Sequence, residues 1–121
     1  MGTYTQITEI VAPSSAVAGS SVSIVAKIKN LGTYAFYICA SGKYDDTIFY
    51  LYPEYASVNA GATYSFSGSF TMPTKKVRVY VWSYFWTGSA WYLDDTAYVD
   101  IDLAALTPAI TQFQIVDYQK V

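Results

Sequence analysis

The chain has 121 residues, 53% of them hydrophobic and 18% aromatic, with no histidine, a single cysteine and a net charge of −2. That length suits one domain burying roughly two thirds of its unfolded surface, while the missing histidines exclude His-activated nucleophiles and His-ligated metals. The lone Cys39 excludes thiolate zinc, iron–sulfur clusters and an internal disulfide.

Hydrophobic period two predicts strands almost throughout. Residues 4–12 are rich in Thr and Ile and end at Pro13-Ser14-Ser15; Gly19-Ser20 then turns into a strand where Val22, Ile24, Ala26 and Ile28 alternate with Ser23, Val25, Lys27 and Lys29. Asn30-Leu31-Gly32 reads as a turn, residues 33–40 as a third strand, and residues 41–46 as a polar loop. Residues 48–52 (IFYLY) form a short strand stopped by Pro53. A turn at Val58-Asn59-Ala60-Gly61 leads into residues 62–71, where Tyr64, Phe66, Gly68 and Phe70 oppose Ser65, Ser67 and Ser69. After Met72-Pro73-Thr74, residues 77–86 alternate Val77, Val79 and Val81 with Arg78, Tyr80 and Trp82. Thr87-Gly88-Ser89-Ala90 closes a hairpin, and residues 91–103 return with Val99, Ile101 and Leu103 facing in against Asp100 and Asp102.

About seven short strands with regular turn signals predict an all-β fold, a two-sheet antiparallel immunoglobulin-like sandwich without a disulfide, with a small jelly roll or barrel as the rival. Aromatic burial, ~150–250 Å² per ring, is the means of holding the sheets together. The sandwich is assigned to residues 1–103, a linker to 104–109 and an extra strand to 110–121.

In strand 77–86 one face already supplies Val77, Val79, Val81, Ser83 and Phe85 to a core. Tyr80, Trp82, Tyr84 and Trp86, joined across the hairpin by Trp91 and Tyr92, are left as a candidate face. They form either a cross-strand ladder covered by a neighbouring module or a platform for sugar rings. Carboxylates are the remaining catalytic candidates. Asp94-Asp95 point to opposite faces if extended; Asp100 and Asp102 share a face about 7 Å apart, a spacing known from glycoside hydrolysis, but on the solvated side. The expectation is therefore a protein that is not an enzyme, without a resident cofactor. Ca²⁺ is the metal that loop carboxylates suit, held by Asp45-Asp46 and Asp94-Asp95 if their loops converge. Cys39, between Ile38 and Ala40, reads as an inert core residue.

Nucleic acid is not an expected partner, because Lys75, Lys76 and Arg78 form the only cationic group and read as a solvated strand edge. Membrane insertion is not expected either, since no apolar stretch reaches the ~18 residues of a span. Met1-Gly2-Thr3-Tyr4-Thr5-Gln6 lacks the regions of a signal peptide and the Ser or Thr of a myristoylation signal.

Gly19 before an alternating strand, Asn30-Leu31-Gly32 after it, Val58-Asn59-Ala60-Gly61, and Phe70-Thr71-Met72-Pro73 before a Val-x-Val-x-Val strand together resemble CARDB-type, cell-adhesion-related modules and kindred immunoglobulin-like modules of surface proteins. Trp86 and Trp91 around Gly88, followed by Leu93-Asp94-Asp95-Thr96, are similar to segments of tandem modules in virion and cell-surface proteins. The resemblance implies a tandem, non-enzymatic spacer or adhesion module, extracellular, at a cell surface or in a virion. Its partners would be neighbouring modules or subunits, a second copy included, with glycans as the alternative.

Beyond the linker, Ile110, Phe113, Ile115 and Tyr118 belong to the expected extra strand. Three readings stay open: the first strand of a repeat echoing Ile7-Thr8-Glu9-Ile10-Val11, an assembly strand pairing with another subunit, or a further strand of the same sheet.

Overall fold

The computed structural model describes residues 2–105. Nine strands run in chain order: β1 (Thr5–Val11), β2 (Ser15–Val17), β3 (Ser21–Asn30), β4 (Phe36–Tyr44), β5 (Thr47–Tyr50), β6 (Ala56–Val58), β7 (Thr63–Thr71), β8 (Val77–Trp86) and β9 (Trp91–Ala104). They form a β-sandwich of two sheets. One has the order β1-β3-β7, the other β2-β9-β8-β4-β5, with β6 also pairing β4. The fold class expected from the sequence is the fold observed.

Three details differ from the sequence reading. β2 and β6 are additional strands of three residues each, too short to show a period, and each is held by a partner distant in sequence. β2 also pairs parallel to β9, whereas the other pairings are antiparallel, because the chain leaves the first sheet at Pro13 and crosses to the second. The loop expected over residues 41–46 is mostly strand: β4 continues through Ser41, Gly42 and Lys43, and the turn to β5 is only Asp45-Asp46, with Asp45 at φ 50°.

The core lies where alternation placed it. Val22, Ile24, Ala26 and Ile28 of β3 and Phe66 and Phe70 of β7 pack against Ile38, Val79, Val81 and Ile101 of the second sheet. Met72 is buried with them, and its carbonyl accepts the N–H of Gly19, whose φ of 85° suits glycine. Leu103, expected inside, is exposed at the end of β9. Asn30 is wholly buried and replaces a tight turn's missing bonds: its Nδ2 donates to the carbonyls of Tyr34 and Val58, and its Oδ1 accepts from the Gly32 N–H.

Each side of the sandwich is closed differently. At β5 and β7 the chain comes so near that a Cβ at Gly68 would collide with the Tyr50 carbonyl oxygen, and Tyr52 exchanges backbone hydrogen bonds with Ser67. At β1 and β9 the closure is made by side chains. β9 carries one residue more than β8 opposite Ser83 and Tyr84, and Asp94 occupies that bulge. The Thr5 and Ile7 N–H groups on the free edge of β1 accordingly donate to Asp94 Oδ2 (2.6 Å) and Asp95 Oδ2 (2.9 Å) instead of to a strand. Between them runs a chain of bonds with a single consistent polarity. The Asp95 N–H donates to Ser83 Oγ, Ser83 to Thr5 Oγ1 (2.7 Å), and Thr5 to Asp94 Oδ2 (2.6 Å). Where many sandwiches place a disulfide, this one places a satisfied polar link between its sheets.

Candidate functional site

Because neighbours on a strand point oppositely, burying Val77, Val79, Val81 and Ser83 of β8 places Tyr80, Trp82, Tyr84 and Trp86 on the outer face of the larger sheet. Register adds their neighbours. On β9, Trp91 pairs with Trp86, Leu93 with Tyr84 and Tyr98 with Tyr80. Across β4, Cys39 pairs with Tyr84, Ser41 with Trp82 and Lys43 with Tyr80; β5 extends the face with Tyr50 opposite Ser41 and Ile48 opposite Lys43.

Five of the six candidate aromatics therefore share the face. Tyr92 does not: it pairs with Phe85 and stacks on it at 6.1 Å, on the inner side of the sheet at the end of the sandwich. The same alternation that separates Asp94 from Asp95 in an ideal strand separates Trp91 from Tyr92.

Several members escaped the sequence reading. Tyr37, Ile48, Tyr50, Tyr55, Leu93 and Tyr98 are all exposed, Ile48 and Tyr50 by 66% and 71%. The signal for two of them was present in IFYLY, which is apolar at both parities and so has no solvent face. Phe49 and Leu51 go to the core, and Ile48 and Tyr50 are left outside.

The rings are arranged differently along the face. Tyr80 and Trp82 lie nearly parallel, 20° apart with centroids at 5.8 Å. Arg78 sits 4.2 Å over the Tyr98 ring and pairs with Asp100 at 2.8 Å. That hydrogen bond holds the Asp100 carboxyl below its ordinary range, so Asp100 is the wrong member of a carboxylate pair to act as a general acid. Toward the hairpin the rings tilt instead, Trp86 against Trp91 and Trp91 against Tyr55.

Cys39 is on this outer face, not in the core, because it alternates with buried Ile38. Burial under the neighbouring side chains pushes its thiol up to about 11, with the Glu54 carboxylate adding to the effect. The Ca²⁺ arrangement does not form. Asp45 bonds to the backbone of Arg78 at the start of β8, whereas Asp94 and Asp95 face Ser83 and Tyr84, roughly 20 Å along the strand. Moreover, Asp94 and Asp95 spend their oxygens on the backbone of Tyr4, of Thr5 and Ile7 in β1, and of Thr96. Lys75 and Arg78 of the cationic group pair with Asp45 and Asp100. Ile110, Phe113, Ile115 and Tyr118 lie outside the described residues.

No protein-family model matches the sequence, and no curated protein sequence does. Solved structures do match in shape. A CARDB domain of a Pyrococcus furiosus protein, in complex with di-metal ions, has a TM-score of 0.61 at 13% identity, over 86% of this chain and 92% of that one. A chain from the complex of human zinc 2-glycoprotein with prolactin inducible protein has a TM-score of 0.60 at 6% identity, over 86% and 97%. Escherichia coli alpha-2-macroglobulin contains a similar unit, with a TM-score of 0.59 at 14% identity over 79% of this chain and 6% of that one. At such identities the likeness is one of fold: a CARDB-like, immunoglobulin-type sandwich.

Proposed function

We propose that this chain is a non-enzymatic structural or adhesive module of a larger surface or virion assembly, acting through protein contact over the outer face of its β4-β5-β8-β9 sheet. One observation carries the reading: this sheet bears large apolar side chains on both faces, and within the chain's described residues only one of them is covered. Seven of the outer side chains, Tyr37, Ile48, Tyr50, Tyr55, Trp91, Leu93 and Tyr98, are 39–71% exposed. At ~200 Å² for a large side chain they offer roughly 800 Å², about what one partner contributes to a standard protein interface. The CARDB-like fold supports a modular role, and the Arg78 pairing of Asp100 supports a non-enzymatic one.

The tryptophans of this face, with Trp91 exposed, favour a second reading, a carbohydrate-binding module using Trp82, Trp86 and Trp91. Tryptophan fluorescence titration against a panel of soluble polysaccharides separates the two. The contact reading expects no saturable response; a response lost in Trp82→Ala would replace it with the carbohydrate reading.

A further inference from the structure

At the hairpin end of the outer face the rings form a hollow instead of a shelf. Tyr37 of β4, Tyr55 from the segment between β5 and β6, Trp86 and Trp91 line, with Glu54, an open cavity of about 350 Å³. Successive rings meet at steep angles. Tyr37 and Tyr55 are 85° apart with centroids at 5.3 Å, Tyr55 and Trp91 51° at 6.4 Å, and Trp91 and Trp86 58° at 5.3 Å. Tyr37, Tyr55 and Trp91 are each more than a third exposed, so their surfaces are open to a ligand.

Charge gives the hollow a sign. Among the described residues Glu54 is the one charged member of its lining, and its field reaches Cys39 on the same face of β4. Lys43, Lys75 and Arg78 line a separate cavity with Asp45 and Asp46, at the far end of the sheet. Among the described residues, none of the cations belongs to the lining of the box.

We propose that this box binds a quaternary ammonium group. Ring faces carry the negative part of the aromatic quadrupole, and a cation in a hollow lined by four rings, three of them exposed, and one carboxylate is attracted by both. A trimethylated nitrogen has no N–H to satisfy and gives up little hydration, which matches a wall of carbon with one acid. A guanidinium would bring five donors to a lining that offers few acceptors. The inference deepens the contact reading by naming the group a partner presents, and it rests on that reading in treating the outer face as a binding surface. The same chemistry is available from a methylated lysine side chain or from a choline head group.

The test is titration of intrinsic tryptophan fluorescence with choline and, separately, with 3,3-dimethyl-1-butanol, its uncharged carbon isostere. The expected result is a saturable change with choline at millimolar concentration and none with the alcohol. Trp91→Ala should weaken choline roughly tenfold and Glu54→Gln roughly threefold or more, with unchanged circular dichroism. An equal response to the alcohol, or none to choline, overturns the proposal. Tighter binding of Nε-trimethyllysine amide than of phosphocholine assigns the group to a protein side chain, and the reverse order assigns it to a head group. Failure here leaves the contact reading standing, whereas a polysaccharide that binds defeats that reading whatever choline does.

Discussion

At the junction of β1 and β9, polar side chains are sealed between two sheets; on the outer face of β4, β5, β8 and β9, large apolar ones are left in water. Both regions reverse the usual distribution, for different reasons. Thr5, Ser83 and Asp95 tolerate burial because hydrogen bonds tie each to a partner on the opposite strand or sheet. Among the described residues the outer rings are held mainly by contact with one another, with Arg78 over Tyr98 and the Ser41 hydroxyl on Tyr84 as the polar exceptions. The junction is thus a device of the fold, and the face is the surface to which the proposed contact is assigned. Substitutions should sort accordingly: junction changes lower stability without a direct effect on ligands, and face changes do the opposite.

The largest effect is expected at Asp95. Replacing it with Ala strips the acceptor from the buried Ile7 N–H and from Thr96, and should cost about 3 kcal/mol in urea denaturation. Asp95→Asn keeps a carbonyl oxygen and should cost less. Ser83→Ala breaks the middle of the hydrogen-bonded chain and removes the acceptor of the Asp95 N–H, for about 1–2 kcal/mol. Losses under ~0.5 kcal/mol at both positions would mean that apolar packing alone joins the sheets and that the polar link is incidental.

On the face, Ile48→Thr and Leu93→Thr exchange an exposed apolar group for another good strand former. Each should change stability by less than about 1 kcal/mol. A loss above ~2 kcal/mol in either would show that the chain already covers its own face, and would erase the contrast with the junction.

How far the sequence reached follows the same division. β3 was legible because one of its faces is polar, so period two declared both its existence and its orientation. β8 was legible for the opposite reason, valines on one side and rings on the other. The Asp94 bulge was not, since a bulge is defined by the strand across from it, and nothing local in Leu93-Asp94-Asp95-Thr96 reveals that one residue has no partner. The same holds for β2 and β6, whose pairing partners lie far along the chain. The box at Tyr37, Tyr55, Trp86 and Trp91 draws on β4, the segment between β5 and β6, and the β8–β9 hairpin, and only register brings those segments together. Tyr92 was different: period two already contained the information that it opposes Trp91.

The smallest effect concerns Cys39, which reports on the face without taking part in the core. Desolvation, and then Glu54, hold its thiol at about 11 against an ordinary 9.0. Near pH 8.5 the folded protein should react with iodoacetamide roughly 100-fold more slowly than the unfolded chain, since two pKa units remove that much thiolate. The sign for stability follows from the same shift. Between pH 9.0 and about 11 the unfolded chain has released the proton and the native state still holds it, so raising the pH favours unfolding. Cys39→Ser should flatten this part of the stability profile relative to the parent, which leaves the tyrosine contribution common to both.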